Sequence, residues 1–201
     1  KTITSSIPSH PRTLAIGLGA NLPSSAGDPV ETLLFIRPEI ENIISEWISR
    51  SLKVVTEQPQ QNKKKELRFR WSPMFKTKPV GGPKEQGPYI NLALVVDRGE
   101  LEGTVPSEKE ALTLLEELFF LEKKYGRERK SEKRRWGPRT LDIDLLAWGD
   151  LQVKSNKLTL PHPRLIERSF VIVPLAAALS SEKNPPKKIF NKDWPESKHK
   201  S

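Results

Sequence analysis

The sequence has no cysteine and a single methionine among its 201 residues. Disulfides, thiolate metal sites and cysteine nucleophiles are thereby excluded, and a reducing compartment is compatible. No apolar run approaches the roughly 20 residues of a membrane span. Lys1 to Pro11 holds no apolar signal core. Negative charge is also short: 34 Lys and Arg face 25 Asp and Glu, a net charge of +9 that points to an anionic partner, whether nucleotide, nucleic acid or acidic lipid. The length favours one domain with a substantial core. A hydrophobic share of 35% against 29% charged describes a polar-surfaced globular chain.

Residues 1–12 are polar and read as a loosely held arm. Thr13 to Leu22 reads as a buried strand running into a Gly-rich turn at Gly17-Leu18-Gly19. That turn is neither a P-loop nor a dinucleotide fingerprint; a close approach of ligand or backbone explains it equally well. Asp28-Pro29 is a helix start, and apolar spacing continues to about Arg50 with an interruption at Pro38. Leu52 to Val55 reads as the start of a strand. A polar surface insertion over 56–66 separates it from a second extended piece, Leu67 to Phe75.

Thr77 to Tyr89 is a loop dense in Gly and Pro, of a length often tied to function. Tyr89 to Asp97 is a strand. Asn91 near its start offers an amide donor and acceptor that can read a heterocycle edge, or simply satisfy backbone at a strand end. Ser107 and Glu110 have capping-box spacing, and the helix they open runs to Tyr125-Gly126. Later come a short strand pair, Leu151 to Val153 with Leu158 to Leu160, a rigid turn presenting His162, and a helix over Val171 to Leu179. Residues 181–201 read as a mobile polar tail. The order gives an α+β fold of ferredoxin-like, split βαβ type over residues 13–180. Its two main helices lie on one sheet face, with extra C-terminal strands and a helix.

The densest chemistry lies in Arg135-Trp136-Gly137-Pro138-Arg139-Thr140-Leu141-Asp142-Ile143-Asp144-Leu145-Leu146. On a strand, Asp142 and Asp144 share one face, about 7 Å apart along the chain, close enough to share one divalent cation or flank two. Residues 127–139 add Arg127, Arg129, Lys130, Lys133, Arg134, Arg135 and Arg139 against only Glu128 and Glu132. Taken singly, an Asp-x-Asp is more often a strand's solvent face, and a basic run a solvated surface. Their adjacency favours a polyphosphate carrying magnesium.

The stretch from Trp136 to Leu146 resembles the signature of the 6-hydroxymethyl-7,8-dihydropterin pyrophosphokinase family of folate biosynthesis. Gly17 to Leu22, Thr77 to Gly81, Tyr89 to Asn91, Leu160 to Arg164 and Arg168 to Phe170 agree in order. The resemblance implies transfer of pyrophosphate from ATP to the pterin hydroxymethyl oxygen, with AMP leaving. It implies two magnesium ions held by Asp142 and Asp144. Arg127, Arg129, Arg139 and Arg168 resemble the family's phosphate-handling arginines, and Trp136 lies on its mobile catalytic loop. Lys157, Thr159 and His162, supported by Glu122, resemble its ATP side. Thr77, Lys78, Val80, Tyr89, Asn91 and Phe170 resemble its pterin pocket. A cytoplasmic monomer acting on small molecules is expected, with neither nucleic acid nor membrane as partner.

The main rival is a basic ferredoxin-like nucleic-acid-binding module. It requires exposed aromatics on central strands, for which Phe69 and Trp71 are the candidates. It leaves Asp142 and Asp144 unexplained, because bare carboxylates repel phosphates.

Overall fold

Three strands whose side chains alternate between two faces form the centre of the molecule. In the computed structural model they are β1 (Leu14–Ala20), β4 (Tyr89–Asp97) and β5 (Asp142–Trp148). The structure describes residues 12–52, 66–79, 85–97, 99–127, 129, 137–163, 165, 167–180 and 189–190. Val80, Trp136, Lys130, Lys133, Arg134, Arg135, nearly all of the 1–12 arm, the expected strand at 53–55, nearly all of the 56–66 insertion and most of the 181–201 tail lie outside these residues.

β1 pairs antiparallel with β4 on one side and with β5 on the other. The far side of β4 is lined by β2 (Arg68–Trp71) and then β3 (Met74–Thr77), both antiparallel to it. The extended stretch expected over Leu67 to Phe75 is thus broken at Ser72-Pro73. Pro73 has no N–H to give to the ladder. Ser72 repairs the gap: its N–H donates to the Ala93 carbonyl at 2.8 Å, and its hydroxyl accepts from the Ala93 N–H at 2.9 Å. The result is a mixed α+β architecture on an antiparallel sheet. A two-residue strand β8 (Ile189–Phe190) adds to β3 in parallel, so the C-terminal stretch read as mobile contributes to the sheet.

One sheet face carries Leu14, Ile16, Leu18, Ile90, Leu92, Leu94, Val96, Ile143 and Leu145, all buried in a single core. Helices α1 (Pro29–Phe35), α2 (Arg37–Leu52) and α3 (Glu108–Lys124) cover it. The capping box at Asp28 and Glu31 opens α1, and the helix restarts at Arg37 because Pro38 is tolerated only in a first turn. Leu52 ends α2 rather than beginning a strand. Trp47 of α2 meets Trp148 of β5 edge to face, ring centroids 4.8 Å apart, which ties helix layer to sheet. At α3, Ser107 accepts from the Glu110 N–H, while the Glu110 carboxylate is taken by Ser51 rather than turned back to the cap.

The other face of the sheet is chemically different. Gly17 and Gly19 of β1, Asn91 and Ala93 of β4, and Asp142 and Asp144 of β5 fall on it by alternation. Helix α4 (Ser169–Ser180) lies against β4 on this side. Two short strands, β6 (Val153–Lys154) and β7 (Thr159–Leu160), form the expected pair beyond β5. Among the described residues no helix is long and apolar enough to cross a membrane. Trp71 is 3% exposed and Phe69 packs against the core, so neither offers a base-stacking surface.

Candidate functional site

A cleft opens over the second sheet face, and its floor is bare backbone. Gly17 and Gly19 belong to β1 itself, not to a turn after it; Gly19 stands opposite Asn91 and Asp142, and Gly17 opposite Asp144. A side chain at Gly19 has no room, since a Cβ there falls 2.7 Å from Asn91 Oδ1. The two glycines keep this floor low between the amide on β4 and the carboxylates on β5.

The end of α3 builds the charged wall. Gly126, at φ +89°, adopts a left-handed conformation that costs other residues energy. The chain then turns back so that the Gly126 N–H reaches the Lys123 carbonyl and the Arg127 N–H the Glu122 carbonyl, each at 3.0 Å. This helix stop carries Arg127 back beside Glu122. The Glu122 carboxylate, 1% exposed, accepts from Arg127 at 2.9 Å, from both prongs of Arg129 at 2.6 and 2.7 Å, and from the Ile143 N–H at 2.7 Å. Burial raises its pKa, against the pull of Arg129 and Arg127. The Arg129 guanidinium also lies 3.8 Å from the centre of the Phe119 ring.

Arg127 extends from Glu122 to Asp142, and Arg139 reaches the other oxygen of the same carboxylate. Burial alone would raise Asp142, but Arg127 and Arg139 hold it below its ordinary range. Asp144 shares its face but receives no ion pair among the described residues. Burial, and then the Asp142 charge beside it, push its carboxyl up to about 7. Two carboxylates with such separated titrations are a mark of a functional site.

The cleft brings together many of the residues singled out from sequence. Thr77, Lys78, Tyr89, Asn91, Arg139, Asp142, Asp144, His162, Arg168 and Phe170 all line it. The Asn91 amide donates to Thr77 Oγ1 at 2.7 Å, which fixes its orientation and turns the acceptor oxygen toward Gly19. The Tyr89 hydroxyl donates to the Gly137 carbonyl at 2.7 Å. The His162 N–H donates to the Leu146 carbonyl at 2.7 Å, which holds the turn after β7 against β5. Arg168 stacks near the Phe170 ring, 5.2 Å from its centre. Lys157 lies in the turn between β6 and β7 and Thr159 in β7, and neither is among the cleft-lining residues. Glu122 and Arg127 are buried beneath the wall, so Arg127 contacts carboxylates rather than presenting itself to the cleft.

Gly17, Gly19, Gln86 and Leu146 also line the cleft, although none of them is among the site residues expected from sequence. The glycines had a signal: they alternate with buried apolar residues, which marks one face of a strand. Asn21 lies within the stretch that resembles the family, but its bonding was not legible there, because its partners lie 65 or more positions away.

The donor set on β5 suits a divalent cation. Asp142 and Asp144 supply hard oxygen ligands on one face; burial and then the Asp142 charge raise the Asp144 carboxyl, and a cation would offset both. Among the described residues no group of three or more His, Cys, Asp or Glu forms a complete cage. Magnesium is commonly bound through one or two carboxylates, with water and substrate phosphate completing its shell. The residues present fit that pattern.

The fold and the cleft define a class: an α+β protein whose cleft sets paired carboxylates and arginines beside a fixed amide. Comparison with known proteins narrows this. The sequence model of the family described as 7,8-dihydro-6-hydroxymethylpterin-pyrophosphokinase matches residues 15–180, and the chain belongs to that family. The chain is 39% identical over 104 residues to the 2-amino-4-hydroxy-6-hydroxymethyldihydropteridine pyrophosphokinase of Haemophilus influenzae, covering 52% of this chain and 57% of that protein. It is 40% identical over 98 residues to the protein of the same name from Methylorubrum extorquens, covering 49% and 54%. With the Synechocystis protein of that name it shares 51% identity over 63 residues, 31% of each chain. The chain thus spans about half the length, or less, of these curated relatives.

Proposed function

We propose that this protein is a transferase that moves a diphosphate group from ATP to the hydroxymethyl oxygen of 6-hydroxymethyl-7,8-dihydropterin, with AMP as the second product, in folate biosynthesis. The observation that carries the reading is the shared cleft, in which the Asp142–Asp144 pair and Arg139 lie beside Asn91, Thr77, Tyr89 and Phe170. The names of the relatives agree with it. The strand order β5-β1-β4-β3 supports the ferredoxin-like arrangement. The acting form in this reading is a cytoplasmic monomer.

Asp142 and Asp144 would hold up to two magnesium ions. When bound, magnesium supplies charge neutralisation and alignment of the polyphosphate. The chain's own residues do the rest. Asn91, held by Thr77, offers an acceptor to ring N–H groups of the pterin, and Phe170 offers a flat apolar face. Arg139 and Arg168 bring positive charge to the phosphates, and His162 lies on the same wall. Glu122 fixes Arg129 and Arg127, so the wall stays ordered as charge moves across it. Diphosphate transfer needs positioning and electrostatic neutralisation rather than a covalent intermediate. No side chain is required here as nucleophile.

Thermal protection tests the binding half of this reading. Magnesium with a non-hydrolysable ATP analogue should raise the unfolding temperature, and the pterin should raise it further. Protection by single-stranded RNA, with none from magnesium–nucleotide, would overturn the reading in favour of a nucleic-acid module.

A further inference from the structure

Asn21 lies just beyond β1 and is 9% exposed. Its side chain joins two segments far apart in sequence. Oδ1 accepts from the Arg139 N–H at 2.8 Å, and Nδ2 donates to the Gly87 carbonyl at 3.1 Å and to Gln86 Oε1 at 3.4 Å. An N–H can only donate and a backbone carbonyl only accept, so these partners fix the amide orientation. The backbone completes the joint: the Asn21 and Leu22 N–H groups both donate to the Arg139 carbonyl at 3.0 Å. Arg139 is thus held at its N–H and its C=O while its guanidinium engages Asp142. Gly87 precedes Tyr89, whose hydroxyl bonds Gly137, so the same two loops are tied a second time.

We infer that Asn21 is a positioning residue, a clamp that sets the Arg139 segment against the 85–89 loop so that Arg139 reaches Asp142 while the pterin-side residues face the same cleft. Only a side chain with an acceptor and a donor on one planar group serves both partners. Aspartate keeps the acceptor arm to Arg139 and loses the donor arm to Gly87; alanine loses both. The catalytic consequence rests on the function proposed above, whereas the clamp itself does not.

The test compares wild type, Asn21→Ala and Asn21→Asp in two measurements. Amide hydrogen exchange, followed without ligands, reads the joint: Arg139 should exchange at least about tenfold faster in Asn21→Ala, since losing a buried hydrogen bond is worth about that factor or more. Aspartate should restore slow exchange at Arg139. Turnover with saturating ATP, magnesium and pterin reads the consequence: kcat should fall at least about tenfold in the alanine variant and recover in part in the aspartate variant. Unchanged Arg139 exchange would overturn the clamp. Faster exchange with an unaltered kcat, or an aspartate variant no better than alanine, would overturn its role in positioning. A wild type that converts nothing would instead sink the proposed function, and exchange alone would then decide the clamp.

Discussion

Asp142 and Asp144 stand two positions apart on one face of β5, and the arginines gather on only one of them. Arg127 and Arg139 close on Asp142, while Asp144 stands beside the Asp142 carboxylate in a half-buried position. The protein therefore carries a like-charge pair that is half neutralised by its own guanidinium groups. A divalent cation is the natural complement to the other half.

Replacing Asp144 by Asn removes that repulsion and, in the proposed reading, one metal ligand together. The variant is expected to unfold at a higher temperature than wild type in metal-free neutral buffer. Addition of magnesium should stabilise wild type and leave the variant nearly unmoved. Differential scanning calorimetry with and without magnesium measures both; equal magnesium responses would remove Asp144 from the metal site.

Arg127 and Arg168 should fail in different ways. Arg127 is 5% exposed and bridges two carboxylates, so Arg127→Ala takes one guanidinium from buried Glu122 and half-buried Asp142, which keep Arg129 and Arg139 respectively. A cost of about 1–3 kcal/mol in folding stability is expected, seen as a lower urea midpoint, alongside loss of activity. Arg168→Ala lies at the cleft wall and should weaken nucleotide binding with little change in that midpoint.

Gly19→Ala forces a methyl group against Asn91 Oδ1. The Asn91 amide must swing or the strand must shift, at about 1–3 kcal/mol. Pterin affinity should drop while magnesium–nucleotide affinity holds, as titration calorimetry with each ligand would show. Equal losses for both ligands would mean that the floor serves the whole cleft.

A pH dependence is expected away from the site. The Tyr125 hydroxyl donates to Glu39, and Lys124 pairs with the same carboxylate. Burial, then Glu39, raise the Tyr125 phenol to about 12. A folded-state value above the unfolded one stabilises the fold below pH 10, and that stability is lost as pH rises from about 10 through 12. Burial acts to raise the Glu39 pKa, but its bonds to Lys124 and Tyr125 bring it below the usual value. Its stabilisation is therefore present above the unfolded carboxylate range and lost as pH falls through the lowered value. Spectrophotometric titration of the two tyrosines should show one titrating near 12, moving down in Glu39→Gln.

Much of this layout was legible in the chain. Asp28-Pro29 and Pro38 foretold a capped helix and a kink or restart within it, because a proline's constraint is local. Asp142 and Asp144 shared a face because strand alternation is local too. Partners such as Asn21 with Gly87 and Arg139 are set by sheet register, which no short stretch encodes. Likewise, seven basic residues within 127–139 were visible, but not that Arg127 would turn inward. The helix stop at Gly126 and the burial of Glu122 decide that together. The broken strand at Ser72-Pro73 was missed because one continuous apolar pattern spans both pieces.

The most direct test is product analysis with ATP, magnesium and 6-hydroxymethyl-7,8-dihydropterin, for wild type and Asp144→Ala. AMP and pterin diphosphate are expected in equal amounts from wild type, with neither above background from the variant. ADP with a pterin monophosphate, or undiminished AMP from the variant, would contradict this.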